Sequence, residues 1–199
     1  MAIATDSALV PEGTPHRLTF DEFVRLGELG IYPERSELVD GIVYDLSPKG
    51  EAHYRAQTEI LRQFIARDSE GERYQAGPEP TLKVDEANGP MPDVLVTHAR
   101  EPISAATAAL VIEIADSSLA YDRGLKRERY AKGHVGEYWI VDLRNERVER
   151  FRPAGTDEPS IVRAGDALSP AVFPDVAIDV ARIFSAARSG HQGSPRSRH

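Results

Sequence analysis

The chain has 199 residues, of which 41% are hydrophobic, and its formal net charge at pH 7 is -8. This length and apolar content suffice for the core of one ordinary domain. Cysteine is absent from the sequence, which excludes disulfides, thiolate metal sites and thiol nucleophiles and leaves oxygen and imidazole as metal ligands. The negative net charge argues against a broad electrostatic affinity for nucleic acid.

Both ends of the chain have compositions that do not favour a packed structure. Residues 1–17 are irregular, and the C-terminal stretch SGHQGSPRSRH offers nothing to bury. We expect a flexible N-terminus at 1–17, one folded domain at 18–186 and a disordered tail at 187–199. No secretory signal or stretch of bilayer-spanning length is present, so the sequence predicts a cytoplasmic protein without a membrane partner.

The first half of the domain predicts a helix, a β-hairpin and a second helix. The segment 19–30 begins with a capping-box spacing and ends in glycine, which indicates a short helix. Asp40 and Gly41 lie between two apolar-rich runs, a pattern typical of a hairpin, and Glu37 lies on its first strand. Residues 51–70 repeat apolar side chains at helical spacing and predict a long amphipathic helix.

The second half predicts several strands and two helices. Asp122 can cap a helix that runs through Lys132, with Gly133 just past its end. A short helix is expected at 179–184. The strand candidates are rich in β-branched or alternating apolar residues and lie at 81–84, 92–99, 109–115, 137–143 and 147–152. The resulting order predicts a mixed α/β or α+β protein built on one central sheet.

Two carboxylates and one lysine carry the candidate chemistry. Glu113 lies between isoleucines on a predicted buried strand, and a buried carboxylate is costly unless it has a partner. Asp93 directly follows a proline at the start of the preceding strand. Lys126 belongs to the segment 121–132, which has five basic and two acidic side chains. Taken singly, Glu113 is explained equally well by a structural salt bridge and by a functional role. Turn chemistry is the better explanation of Asp93 alone, and a solvated helix face is the better explanation of Lys126 alone.

Together these three residues indicate a more specific site. Twenty residues separate Asp93 from Glu113, which suits two neighbouring strands whose carboxylates converge. Two oxygen ligands at one end of a sheet, with a cation from the next helix, suit magnesium-assisted phosphoryl chemistry. Lys126 would then hold the attacking water or stabilise the transition state, and Arg123 and Arg127 would contact flanking phosphates.

The order of five motifs gives a resemblance to a known family. The segments ELVDG, PDVLV, LVIEIADSS, YDRGLKRERYAKGHVGEYWIVD and FPDVAIDVARIF resemble the Uma-type family of putative restriction endonucleases, in the PD-(D/E)XK nuclease superfamily. The resemblance covers about residues 18–186 and implies a nuclease-like domain. It implies a mixed central sheet flanked by helices, a restriction-endonuclease-like core with an N-terminal helix and β-hairpin. The implied activity is hydrolysis of DNA phosphodiester bonds with Mg²⁺ or Mn²⁺.

The resemblance also implies roles for individual residues. Asp93 corresponds to the aspartate of the PD element, Glu113 to the acidic metal ligand and Glu37 to an additional acidic position that supports the metal. Together with Lys126 these residues form the implied catalytic set, in which Asp93 and Glu113 hold the metal. Two residues after Glu113, where the superfamily motif has lysine, this chain has Ala115. The Uma-type family supplies the lysine from the following helix, and Lys126 matches that position.

Three further interpretations accompany this resemblance. Relatives tend to have a histidine at the position of His53, but a surface or capping role is the favoured interpretation. Tyr138 and Trp139 alternate within an apolar strand and are expected in the core. Cleavage of both DNA strands needs two sites, which is compatible with a homodimer.

The alternative function is a catalytically inactive nuclease-fold protein that binds or regulates, which the acidic chain and Ala115 favour.

Overall fold

The computed structural model describes residues 14–155 and 158–189. Most of the expected flexible N-terminus and of the expected tail therefore lies outside the described residues. The helices of the described part are α1 (Phe20–Glu28), α2 (Glu51–Ile65), α3 (Leu119–Tyr121), α4 (Arg127–Lys132) and α5 (Val180–Arg188), with a 3-10 turn at Ala105–Thr107 and a π-helical segment at Asp122–Lys126. The strands are β1 (Ser36–Val39), β2 (Ile42–Asp45), β3 (Tyr74–Pro78), β4 (Val94–His98), β5 (Ala108–Ala115), β6 (Tyr138–Asp142), β7 (Arg147–Phe151) and β8 (Ser160–Val162).

A six-stranded mixed sheet forms the centre of the fold. Its strand order is β3-β4-β5-β6-β7-β8. Strands β5 and β6 run parallel, and each of the other neighbouring pairs is antiparallel. A parallel pair needs a crossover, and the helical segment 119–132 provides it. The predicted mixed sheet flanked by helices is confirmed.

Each face of this sheet buries its own apolar core. On one face, α2 and α5 pack against each other and cover a set of almost fully buried side chains, which includes Ile60, Phe64, Ile112, Trp139 and Phe184. On the other face, Tyr130 of α4 packs against Tyr138, with ring centroids 5.1 Å apart. The prediction that Tyr138 and Trp139 are core residues is confirmed.

Replacing Phe64 with alanine should destabilise the domain strongly. The ring is fully buried and lies edge-on to Tyr74, with centroids 5.8 Å apart. A buried Phe→Ala change leaves a cavity and costs about 3–5 kcal/mol in the free energy of unfolding. Urea unfolding measures this loss. The control is Ile65→Ala on the same helix, because Ile65 is 56% exposed and its loss should change stability little. Equal effects of the two substitutions would contradict this packing.

The N-terminal elements follow their local sequence signals. Thr19 and Glu22 form the predicted capping box at the start of α1. Strands β1 and β2 form the predicted hairpin as a separate two-stranded sheet, and its turn has positive φ at Asp40 and Gly41. Strand β1 is wholly buried, and Leu38 also pairs with Gly89. Among the described residues, no helix is both long and apolar enough to cross a membrane.

Four features of the predicted elements need correction. The expected strand at 81–84 is absent from the sheet, because its amides bond locally to the loop that follows: Leu82 donates to the carbonyl of Pro90. The first strand of the sheet is β3 instead, whose glycine and proline make the sequence signal of a strand weak. Strand β8 was not predicted. Helix α5 extends to Arg188, two residues beyond the expected end of the domain.

The helix that crosses from β5 to β6 also differs from its prediction. It begins at Leu119, so Asp122 is not the N-cap. Residues Asp122–Lys126 form a π-helical segment, in which the turn is wider than in an α-helix. Gly133 lies at its end, as predicted. Such π-helical turns occur frequently at functional sites, and this one carries both Asp122 and Lys126 into the interior, where they are buried.

Candidate active site

A polar cleft of about 340 Å³ opens where β5 ends and the crossover helix begins. The loop 46–50 and the first turn of α2 form its opposite wall. Six charged or titratable side chains on the cleft wall matter for its chemistry: Lys49, His53, Asp93, Glu113, Asp122 and Lys126. Three of the four residues predicted as catalytic, namely Asp93, Glu113 and Lys126, therefore meet in one cleft.

The sheet itself brings Asp93 and Glu113 together. Val94 at the start of β4 pairs with Ile112 of β5. Asp93 precedes Val94 and Glu113 follows Ile112, so in this antiparallel register the two residues lie next to each other at the same end of the sheet. Both side chains line the cleft, and Oδ2 of Asp93 accepts a hydrogen bond of 2.7 Å from the amide of Ile114. The two carboxylates therefore lie at one cleft rather than on opposite faces of the sheet, an arrangement that would have excluded a shared cation.

Glu113 has the partner that its burial requires. Its Oε1 accepts a hydrogen bond of 3.0 Å from Nζ of Lys126 and one of 2.6 Å from the hydroxyl of Tyr130. Lys126 therefore points inward as predicted, whereas Glu128 and Lys132 of the same helix are exposed. Within the described part of the chain, no hydrogen bond reaches Oε2 of Glu113. The two protein donors thus use one carboxylate oxygen and leave the other for a cation.

Glu37 lies behind the cleft rather than on its wall. Its Oε2 is 3.6 Å from Nζ of Lys126, and its Oε1 accepts a hydrogen bond of 2.7 Å from the hydroxyl of Tyr121. The carboxylate is almost fully buried. The expectation that Glu37 supports the metal therefore needs correction in geometry, because this carboxylate contacts the site through Lys126 and Tyr121.

Asp93 contacts two basic groups from the start of α2. Lys49 binds its Oδ1, and Nε2 of His53 lies 3.2 Å from the same atom, at an ion-pair distance but without hydrogen-bond geometry. Burial alone would raise the pKa of Asp93, but His53 and Lys49 outweigh it and lower the pKa to about 2. The interpretation of His53 as a surface or capping residue is wrong, since its side chain is only 11% exposed and faces Asp93.

Glu79 completes this second group of contacts. Its Oε1 is 2.5 Å from Nζ of Lys49 and 3.3 Å from Nε2 of Gln57. Gln57 also donates a hydrogen bond of 2.7 Å to the carbonyl of Asp93. Sequence reasoning missed these residues. The available signal was the spacing of His53 and Gln57, four residues apart, which places both on a polar stripe beside the apolar face of α2. Lys49 lies four residues before His53, in the loop that leads into the helix.

The cleft contains more carboxylates than nearby cations. Burial raises the pKa of Glu113 to about 8, against the attraction of Lys126, and Asp93 and Asp122 raise it further. Burial likewise raises the pKa of Asp122 to about 6. Burial lowers the pKa of Lys126, but the carboxylates outweigh this effect and raise it above its ordinary value. Glu37 and Glu113 share the ammonium group of Lys126, and Asp122 has only a longer-range attraction to it. The site therefore has an excess of acidic groups that a further cation would neutralise.

The carboxylates of the cleft can supply part of the coordination of Mg²⁺ or Mn²⁺, with water and substrate phosphate as the other ligands. Residues 14–155 and 158–189 contain no group of three or more His, Asp or Glu side chains spaced to hold a metal. Magnesium is commonly held by one or two carboxylates, with water and substrate phosphate as its other ligands. Asp93 and Glu113 can supply those two carboxylates. Their role as metal ligands stays a prediction.

The two arginines predicted to contact phosphate lie elsewhere. Nε of Arg123 donates a hydrogen bond of 2.7 Å to Glu149 on β7, and the guanidinium of Arg127 lies 5.3 Å from the ring centre of Phe151. Neither residue lines the cleft, because the π-helical turn directs them toward β7. The basic side chains on the cleft wall besides Lys126 and His53 are Arg35 and Lys49.

Comparisons with known proteins agree with this fold. A crystal structure of a putative nuclease belonging to DUF820 from Anabaena variabilis superposes with a TM-score of 0.63 at 19% identity, and the match covers 85% of this chain and 99% of that chain. At this identity the similarity shows a shared fold. Comparison with curated proteins gave no match. The sequence model of the Uma2 family, described as "Putative restriction endonuclease", matches residues 20–181. Because this match spans most of the chain, the protein belongs to the Uma2 family.

Proposed function

We propose that the protein is a hydrolase, a divalent-metal-dependent endonuclease that cleaves phosphodiester bonds of DNA. The family and the shared fold support a nuclease. The observation that carries the proposal is the meeting of Asp93, Glu113 and Lys126 in one polar cleft. Oε2 of Glu113 has no protein donor among the described residues, whereas Lys126 is held 3.0 Å from Oε1.

Each residue of the cleft has a distinct role in this proposal. Asp93 and Glu113 would hold Mg²⁺ or Mn²⁺, which when bound supplies charge neutralisation at the phosphate and lowers the pKa of a bound water. Lys126 orients the attacking water or stabilises negative charge in the transition state. Glu37 positions Lys126, and Tyr130 positions Glu113, because each contacts its partner from outside the cleft wall.

The basic side chains of the cleft support an anionic substrate once a divalent cation offsets the excess of carboxylates. The whole chain is acidic, so attraction of DNA must be local. Lys49 and Arg35 line the cleft beside Lys126 and give that region its basic groups. The family name points to DNA as the substrate. A homodimer would provide the second site that cleavage of both strands requires, and this assembly stays a prediction.

A catalytically inactive nuclease-fold protein that binds or regulates is the second candidate. Ala115 favours it, because the superfamily motif has lysine at this position. The contact between Lys126 and Glu113 weighs against it, since the crossover helix delivers an ammonium group to the same carboxylate. A binding protein has no need to keep both carboxylates and the lysine together in one cleft.

Cleavage assays distinguish the two candidates. We expect the purified protein to cut plasmid, linear or branched DNA when Mg²⁺ or Mn²⁺ is present and to lose this activity completely with a chelator. Calorimetric titration of the same preparation should show binding of the divalent cation. If the protein binds DNA but neither binds a divalent cation nor cuts any of these substrates, the catalytic proposal is wrong and the binding function replaces it.

A further inference from the structure

Lys49 has an unusual location, because its ammonium group contacts a proposed metal ligand. Its Nζ binds Oδ1 of Asp93 and lies 2.5 Å from Oε1 of Glu79. The side chain is 17% exposed and lies on the cleft wall, immediately before α2. A protein cation is therefore already bound to the carboxylate that would hold the metal.

Asp93 has little capacity for a further cation while Lys49 stays in contact with it. Its Oδ2 accepts the amide of Ile114, and its Oδ1 contacts both Lys49 and His53. A carboxylate offers about four acceptor positions; two of them accept hydrogen bonds here, and Nε2 of His53 lies 3.2 Å from Oδ1 as well. A divalent ion on Oδ1 would also lie next to an ammonium group, and like charges at this distance repel strongly where water is partly excluded. Metal binding at Asp93 therefore competes with Lys49.

Glu79 offers Lys49 a partner that does not depend on Asp93. Arg35 lies 3.2 Å from Oε2 of Glu79, and Gln57 donates to Oε1, so this carboxylate is held from two sides. The backbone of Glu79 has a φ of +50°, a left-handed conformation that is unfavourable for a residue with a side chain. The surrounding contacts must keep Glu79 in this position. Lys49 can thus leave Asp93 and remain bound.

We propose that Lys49 is an exchangeable cation of the active site. It neutralises Asp93 in the metal-free protein, and it retains only Glu79 when a divalent cation binds Asp93. This inference rests on the proposed function, because it describes how the proposed metal ligand is made available. Lys49 is then a positioning residue that sets the cation concentration at which the site fills, and Glu79 is the group that receives its charge.

Calorimetric titration of Mn²⁺ or Mg²⁺ into the full chain tests this exchange without any activity assay. Lys49→Met removes the competing charge, so we expect about tenfold tighter binding of the divalent cation. Glu79→Gln removes the alternative partner and leaves Lys49 with Asp93 alone, so we expect weaker binding. Lys49→Arg keeps the charge and should stay close to the wild type. The expected changes in cation affinity have opposite signs in Lys49→Met and Glu79→Gln, whereas a purely structural role of these residues would weaken binding in both variants.

The outcomes separate this inference from the proposed function. Unchanged or weaker binding in a folded Lys49→Met variant, checked by circular dichroism and thermal unfolding, overturns the exchange. If Lys49→Met does not fold, Glu79→Gln decides, and binding as tight as in the wild type or tighter overturns it. If the wild type and all variants bind no divalent cation, the metal-dependent function itself fails. If the wild type binds the cation and cuts DNA, and Lys49→Met binds the cation with equal affinity, the exchange proposal is wrong and the metal-dependent function stands.

Discussion

Replacing Glu113 with glutamine should abolish DNA cleavage and weaken binding of the divalent cation together. Glutamine keeps the shape of the side chain and an oxygen that can accept from Lys126 and Tyr130, so the fold should survive. The substitution removes the charge that would bind the cation through Oε2. Loss of a metal that supplies several kcal/mol of transition-state stabilisation predicts a fall in rate of about 1,000-fold or more. Plasmid cleavage and calorimetry on one preparation measure both effects.

Glu149→Gln is a matched control for this substitution. Glu149 lies on β7, on the same face of the sheet as Glu113, and it is equally buried. It pairs with Arg123 and Arg147 outside the cleft. This control should lose stability but retain cation binding. If Glu113→Gln binds the divalent cation as tightly as the wild type does, Glu113 is not a metal ligand.

Replacing Lys126 with methionine should lower the cleavage rate without weakening cation binding. Lys126 contributes a charge near the proposed reacting groups rather than a ligand, and loss of one such group costs about 100- to 1,000-fold in rate. Methionine fills the volume of the buried stem. The metal-free variant should also lose stability, because Glu113 and Glu37 lose their shared cation and breaking a buried pair costs about 3–5 kcal/mol. Urea unfolding with and without Mg²⁺ should show partial recovery when the divalent cation binds.

Lys132→Met on the same helix provides the comparison for Lys126→Met. Lys132 is 61% exposed and pairs with Asp85 outside the cleft, so its loss should change neither rate nor metal affinity. A Lys126→Met variant with wild-type activity would assign the catalytic charge to another residue. Simultaneous loss of metal binding and rate would instead make Lys126 part of the framework that holds Glu113.

Local patterns were sufficient for much of the fold and for the centre of the site. The capping box at Thr19, the Asp40-Gly41 turn and the apolar runs of β4, β5 and β6 each depend on residues close in sequence. The cost of burying Glu113 similarly required a partner, and Lys126 provides it. Strand β3 was missed because an edge strand that contains glycine and proline has a weak sequence signal. The segment 81–84 was wrongly predicted as a strand because an apolar run can also belong to a loop in the core.

The sequence by itself determined which residues could bind a cation, because the buried carboxylates and the absence of cysteine restrict the ligand chemistry. Only the tertiary structure decided how these groups are connected. Lys49 and Glu79 meet across 30 positions of the chain, and Tyr121 and Glu37 across 84, distances in sequence that no local periodicity spans. The π-helical turn likewise decides that Lys126 faces Glu113 whereas Arg123 faces β7. The physical reason is that a side chain's partner depends on chain packing, whereas its burial cost depends largely on its own chemistry.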